Sequence, residues 1–252
     1  MTHIIDIIKD HYNEYIDIDD NIVFSSVNNF IIIIKLLDDS LTDDNEEERP
    51  DIIDKQYACY HTNKAIVLVI IDKFNPISKI TSMSFNKNNY IVGNIIISDK
   101  KIISYYKCIE PAYTINLNGI KSEKYKVNGY IKQYHFNGIL FVEGELKDGI
   151  EIGLWKYYNK KGLLIKEITF NNGNFGTVYV YDSNDDITEK HNIVNYMKHG
   201  DYIIYKNKKI NIHGYYTNGC KDKDWKYYDD DEKLIRKETY DFGNIIGQLK
   251  YK

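Results

Sequence analysis

Between Gly144 and Gly243 the chain repeats itself without a gap. Gly144, Gly149, Trp155, Phe170 and Gly173 return seventy residues later as Gly214, Gly219, Trp225, Tyr240 and Gly243. A fixed offset held over that length marks a repeat array, in which each unit buries its apolar side against its neighbours. The most alike segments are Gly153–Tyr158, which reads Gly-Leu-Trp-Lys-Tyr-Tyr, and Lys223–Tyr228, which reads Lys-Asp-Trp-Lys-Tyr-Tyr.

The seventy residues divide into three. Six tyrosines, Tyr134, Tyr158, Tyr181, Tyr205, Tyr228 and Tyr251, close Trp-Lys-Tyr-Tyr-like segments at intervals of 24, 23, 24, 23 and 23 residues. Each interval reads as a β-hairpin, because Tyr, Trp, Val, Ile and Thr dominate, apolar residues alternate and turn residues recur about every ten positions. Alternation sorts each first strand into two faces. One face carries Ile131 and Gln133, Trp155 and Tyr157, Val178 and Val180, Tyr202 and Ile204, and Trp225 and Tyr227. The other carries Lys132 and Tyr134, Lys156 and Tyr158, Tyr179 and Tyr181, Ile203 and Tyr205, and Lys226 and Tyr228.

A polar turn follows each anchor, as in Asn159–Gly162, Asp182–Asp185 and Asp229–Glu232. Gly, Asn and Asp suit such turns because they tolerate positive φ or bond their own backbone. The return strand is expected to open six residues after the anchor, at Leu140, Leu164, Ile187 and Leu234, with Asn211 as the exception. Second turns are expected at Gly149, Gly173, Gly219 and Gly243, and late, at Gly200, in the third unit.

These segments resemble MORN repeats in their variant, antitoxin-like form. The residues that carry the likeness are Gly153, Trp155, Tyr158, Gly162, Leu164, Glu167, Phe170 and Gly173, followed by Trp225, Tyr228, Leu234, Glu238, Tyr240 and Gly243. Glu238 stands one residue later than the register of Glu167. The resemblance spans roughly 129–252. It implies an antiparallel sheet of stacked hairpins that serves as a scaffold, a protein-binding module or a membrane-proximal module.

Residues 1–114 read as a separate, small α+β domain, and 115–252 as the array. The whole is therefore expected to be α+β, mainly β. Positions 3–15 have helical apolar spacing, with Thr2 as N-cap. Buried strands are expected around Phe30–Ile34 and Ala65–Ile71, further strands at Ile80–Phe85 and Tyr90–Ile97, and a last helical turn from Glu110. The acidic run Asp38–Asp51 reads as a solvated loop, since it lacks the alternate-residue carboxylates and Gly of a calcium loop. Segment 115–129 reads as a truncated unit with turns at Asn118-Gly119 and Asn128-Gly129. Leu36–Thr42, Glu48–Asp51, Thr62–Leu68, Tyr90–Gly93 and Glu110–Tyr113 are similar, in that order, to an uncharacterised domain that precedes MORN-like arrays in giant DNA viruses. That resemblance implies a viral protein of the host cytoplasm or the virion, and no activity.

Charge is unevenly spread. Residues 1–112 hold 11 Lys and Arg against 18 Asp and Glu, and 113–252 hold 22 against 19. A surplus of three positive charges over the array is too small to suggest nucleic acid. It allows weak attraction to an anionic membrane surface. The three cysteines, Cys59, Cys108 and Cys220, suit a reducing compartment. The start of the chain lacks the basic, then apolar, pattern of a secretion signal, and the longest apolar runs fall far short of the ~20 residues that span a bilayer.

No nucleophile elbow, phosphate loop, dinucleotide fingerprint or zinc-protease motif occurs. Cys59 and His61 share a strand face without visible activation, and His191, His199 and His213 fall in neighbouring units. Glu143, Glu145 and Glu167 are expected to pair with lysines across strands. No catalytic set, cofactor site or metal site is expected, so the chain reads as a non-enzymatic interaction protein. The candidate surface is Trp155, Tyr157, Trp225 and Tyr227 on one face, and Lys132, Lys156, Lys226, Tyr134, Tyr158 and Tyr228 on the other. The aromatic face has the competing role of packing the sheet itself. Protein is the expected partner, anionic lipid the alternative, and an enzyme in the N-terminal domain the third reading.

Overall fold

The structure is a computed structural model that describes residues 4–16, 19–45, 47–85, 88–115, 127–171 and 173–251. Thr2, Asn118-Gly119 and Lys252 lie outside them. The fold is mainly β with a small helical contribution, as expected, and it divides into two compact units, Met1–Phe141 and Val142–Lys252.

The first unit contains α1 (Ile4–His11), a 3-10 turn (Asn13–Tyr15), β1 (Ile22–Val27), β2 (Phe30–Leu36), β3 (Cys59–Thr62) and β4 (Lys64–Asp72). It continues with β5 (Ser82–Phe85), β6 (Asn88–Ile91), β7 (Ile95–Ile97), β8 (Ile103–Tyr106), α2 (Ile109–Thr114) and β9 (Gly129–Tyr134). Six strands form a sheet in the order β3-β8-β1-β2-β4-β7. The unbroken isoleucine run of β2 has a direct cause, since that strand is buried on both faces. Ile32 and Ile34 pack with Val67, Tyr60 and Tyr105, while Ile31 and Ile33 pack with Ile5, Ile8 and Tyr113 from the two helices. The expected strand Tyr90–Ile97 breaks at Gly93, whose φ of +85° ends β6 and lets β7 join β4.

The acidic loop is pinned along β3 by its polar side chains. Asp43 accepts the His61 backbone N–H at 2.6 Å, lies 2.9 Å from His61 Nδ1, and sits beside Arg49. Arg49 forks onto Asp51 at 2.8 and 3.0 Å and donates to the Cys59 carbonyl at 3.0 Å.

The array follows as β10 (Leu140–Lys147), β11 (Ile150–Tyr158), β12 (Leu164–Phe170), β13 (Phe175–Tyr181), β14 (Ile187–Val194) and β15 (Met197–Lys206). It ends with β16 (Lys209–Thr217), β17 (Cys220–Tyr228), β18 (Leu234–Asp241) and β19 (Asn244–Lys250). Strand order runs sequentially from β9 to β19, and the paired strands are antiparallel.

The anchors mark β-bulges. At Tyr158, Tyr181, Tyr205 and Tyr228 the facing strand carries one extra residue, respectively Ile165, Thr188, Asn211 and Ile235. The next residue builds the turn. Asn159, Asp182 and Asp229 each accept two backbone N–H bonds on one side-chain oxygen, and Gly162, Asp185 and Glu232 take positive φ.

Two expectations about turns are corrected. The return strand after Tyr205 opens at five residues, with Ile210 opposite the anchor, because Asn207-Lys208 make a two-residue turn with φ of 51° and 65°. Asn211 is therefore the bulge residue. The second turn of the third unit lies at Asn195-Tyr196, both at positive φ, rather than at Gly200. Gly200 sits inside β15 at φ +84° and belongs to a different series. Gly153, Gly200 and Lys223 each stand two residues before Trp155, Tyr202 and Trp225, at bulges where the neighbouring strand is one residue against three. Such bulges bend the strand and increase its twist.

Candidate interaction surface

Register settles which side chains share a face in the second unit. One row runs Trp155, Ile168, Val178, His191, Tyr202 and Gly214, and continues past the bulge through Trp225, Glu238 and Gln248. From Trp155 to Glu238 it is closed off from water, with Trp155 at 0 % and Trp225 at 2 % exposure, and only its last member, Gln248 on the edge strand, is exposed. All the elements of this unit are strands of one sheet, so neighbours on the same face supply much of the cover.

Trp225 shows how. Tyr202, Tyr216 and Tyr240 surround its ring at centroid distances of 5.4, 5.2 and 6.1 Å, and Lys221 Nζ lies 4.1 Å above it. Gly214 lies beneath, where an added Cβ would overlap the indole. Gly144 has the same relation to Trp155. The indole N–H of Trp225 donates to the Tyr215 carbonyl at 3.2 Å, whereas that of Trp155 finds no acceptor among the described residues. Cations cover the flanking aromatics as well. Lys166 stands 4.0 Å over Tyr157 and Arg236 3.8 Å over Tyr227. This face is thus an aromatic layer shielded by the stems of its own lysines and arginine.

Two acidic groups lie within that layer. Glu189 is 2.9 Å from His191 Nδ1 and 2.8 Å from Lys198 Nζ, and these partners, His191 foremost, hold its carboxyl down at about 2. Glu238 is buried and accepts the hydroxyls of Tyr227 at 2.6 Å and Tyr240 at 3.0 Å, bonds that keep it below the usual carboxylate range. Glu238 occupies the position that Ile168 holds one repeat earlier. The extra residue noted in sequence is therefore a change of face, from the open side to the buried one.

The second face is open. Its central row is Glu143, Lys156, Glu167, Tyr179, Lys190, Ile203, His213, Lys226, Lys237 and Leu249. At its start, charges are matched. Tyr158 donates to Glu143 at 2.8 Å, Tyr181 to Glu167 at 2.6 Å, and Lys156 lies 3.9 Å from Glu167. Toward the other end basic side chains stand opposite one another. Lys226 is exposed and directly faces His213 on one side and Lys237 on the other. Asp224 is bonded to Lys237 at 2.8 Å, and His213 Nε2 lies 3.4 Å from Asp201.

Of the ten sequence-predicted residues, Lys156, Tyr158, Lys226 and Tyr228 lie together on this open face, with six strand steps, about 29 Å, between the two lysines. Trp155, Tyr157, Trp225 and Tyr227 belong to the shielded face. Lys132 and Tyr134 belong to the first unit, where Lys132 is exposed and Tyr134 stacks on Tyr57 at 4.4 Å. His191 and His213 project from opposite faces. Among the described residues no group of His, Cys, Asp and Glu has metal-binding geometry.

The first unit holds a cavity of about 320 Å³ lined by Asp44, Asn45, Arg49, Ile52, Lys55 and Tyr60. Arg49 is committed to Asp51, Asp43 and the Cys59 carbonyl, so its guanidinium serves the loop. The nearby Cys59 thiol is buried, which pushes it up to about 11. Sequence reasoning missed Lys73. It is fully buried, donates to Ser26 Oγ at 2.9 Å and to the Ile115 carbonyl at 2.8 Å, and is pushed down to about 7 by burial. Nothing in its local sequence separates it from an ordinary strand-end lysine.

Among the described residues no helix is long and apolar enough to cross a membrane. No family model and no curated protein matches the chain. Among solved structures, a Bacteroides fragilis protein of unknown function aligns with 49% of this chain and 93% of its own, at 10% identity and a TM-score of 0.16. A likeness of that order carries no argument about fold or activity.

Proposed function

We propose that the chain is a non-enzymatic scaffold, a MORN-like repeat protein that binds a protein partner through the lysine–tyrosine face of its array. One observation carries the reading, namely Lys226 set directly between His213 and Lys237 on an exposed face. Like charges directly opposite each other destabilise a sheet. The pairing of Lys226 with Lys237 favours an acidic group brought from outside. The Trp-Lys-Tyr-Tyr motifs support the MORN assignment. The motifs of the N-terminal unit support a viral protein acting in the host cytoplasm or the virion.

The test compares the full chain with a Lys156→Glu/Lys226→Glu variant in capture from cell extract, read by quantitative mass spectrometry. The reading expects a set of proteins lost both on charge reversal and in high salt. Equal capture by the two forms contradicts it. The same exposed lysine favours a second reading, peripheral binding to anionic lipid. Flotation with phosphatidylserine vesicles, absent with phosphatidylcholine vesicles and abolished by the double variant, would select that reading.

A further inference from the structure

We propose that the outer edge of β19 pairs with β19 of a second copy of this chain, giving a two-fold dimer with a continuous sheet. The two edge strands of the array are treated differently by the fold. β9 is covered within the first unit. Gln133 donates to the Thr114 carbonyl at 2.8 Å, and beyond the strand the Asn137 carbonyl accepts the N–H groups of Ile53 and Asp54. β19 pairs with β18, and no described residue pairs with its other edge. All seven of its residues are exposed, including Ile245 at 53 %, Ile246 at 66 % and Leu249 at 58 %. A long apolar edge strand is a template for another strand.

Self-pairing is the solution the sequence fits. The Tyr251 N–H is spent inward on the Ile235 carbonyl at 2.9 Å, so alternation turns the N–H and C=O of Lys250 and Gln248 outward. A two-fold axis at Leu249 then pairs Gln248 with Lys250 of the partner subunit, and Lys250 with Gln248 of the partner subunit. It sets Leu249 against Leu249 of the partner subunit, and Gly247 against Tyr251 of the partner subunit. Apolar groups meet, an aromatic ring covers a glycine, and no like charges oppose. A two-fold contact of this kind also closes on itself, so it ends in a dimer and not a fibre.

The experiment is sedimentation equilibrium of the full chain across a wide concentration range, for wild type, Gln248→Pro and Leu249→Lys. Proline at 248 removes an outward N–H and leaves the β18–β19 bonds intact. Lysine at 249 sets two ammonium groups across the axis. The proposal expects wild type at twice the monomer mass, and both variants at the monomer mass with unchanged circular dichroism. If Gln248→Pro does not fold, Leu249→Lys alone decides. A monomeric wild type, or a dimer that survives Leu249→Lys, overturns the proposal. The inference is independent of the lysine–tyrosine face, because charge reversal at Lys226 leaves the dimer mass unchanged and Gln248→Pro, which lies in the other row, leaves partner capture unchanged.

Discussion

Gly214 and Trp225 face each other across the β16–β17 ladder with no space for a methyl group between them. Gly144 and Trp155 repeat the arrangement seventy residues earlier. Each glycine is the floor on which an indole lies flat within a single-layer sheet. Gly214→Ala and Gly144→Ala are expected to cost about 1–3 kcal/mol each by overpacking. Gly247→Ala, whose new Cβ meets only ordinary contacts at 3.7 Å and beyond, should stay within about 0.5 kcal/mol. Urea unfolding of the three variants measures this, and equal losses at all three positions would sink the packing account.

Glu232 takes the left-handed conformation that Gly162 takes in the equivalent turn. A side chain there is strained by roughly 1–2 kcal/mol, offset in part by the entropy that glycine loses on folding. Glu232→Gly should therefore stabilise the chain by about 0.5 kcal/mol, and Gly162→Glu should destabilise it by more. Thermal unfolding of both checks the sign.

Lys226 links stability to binding with opposite signs. Replacing it with glutamate converts a like-charge pair with Lys237 into an attractive one, worth roughly 0.2–1 kcal/mol. The variant is thus expected to unfold at higher urea and to capture less partner. Loss of both properties together would mean that Lys226 acts through the fold.

Two titrations run in opposite directions. Glu189 is held at about 2 against an ordinary 4.5, so its contribution is complete above pH 4.5 and is lost as pH falls through about 2. Glu189→Gln should flatten that acid limb. Lys73 is held at about 7 against 10.5, so burial of its ammonium group weakens the fold below pH 7, and stability rises from pH 7 to 10.5. Lys73→Met should remove that rise. Unfolding free energies measured from pH 2 to 10.5 decide both.

The hairpins were legible because a two-residue side-chain period and a 23–24-residue turn period leave separate marks, and the tyrosines fall on the bulges that end each first strand. What was not legible depends on backbone choices that several residues can make. Tyr196 and Lys208 take positive φ where Asn or Gly was the expected sign, which hid one turn and shortened another. Gly200 looked like a turn because a glycine at a strand bulge has the same conformational need. Of the candidate surface, the sorting of side chains into faces was readable. Alternation separated the two faces correctly, but lysine stems lying over aromatic rings closed the face that composition made look sticky.

Trp155 and Trp225 are the chain's two tryptophans, so iodide and acrylamide quenching of native fluorescence reports the shielded face alone. The account predicts blue-shifted emission with little quenching by either agent, unchanged when a partner is bound. Native emission quenched as readily as that of the urea-unfolded chain, or protected only when a partner binds, would show that the aromatic face is the open one.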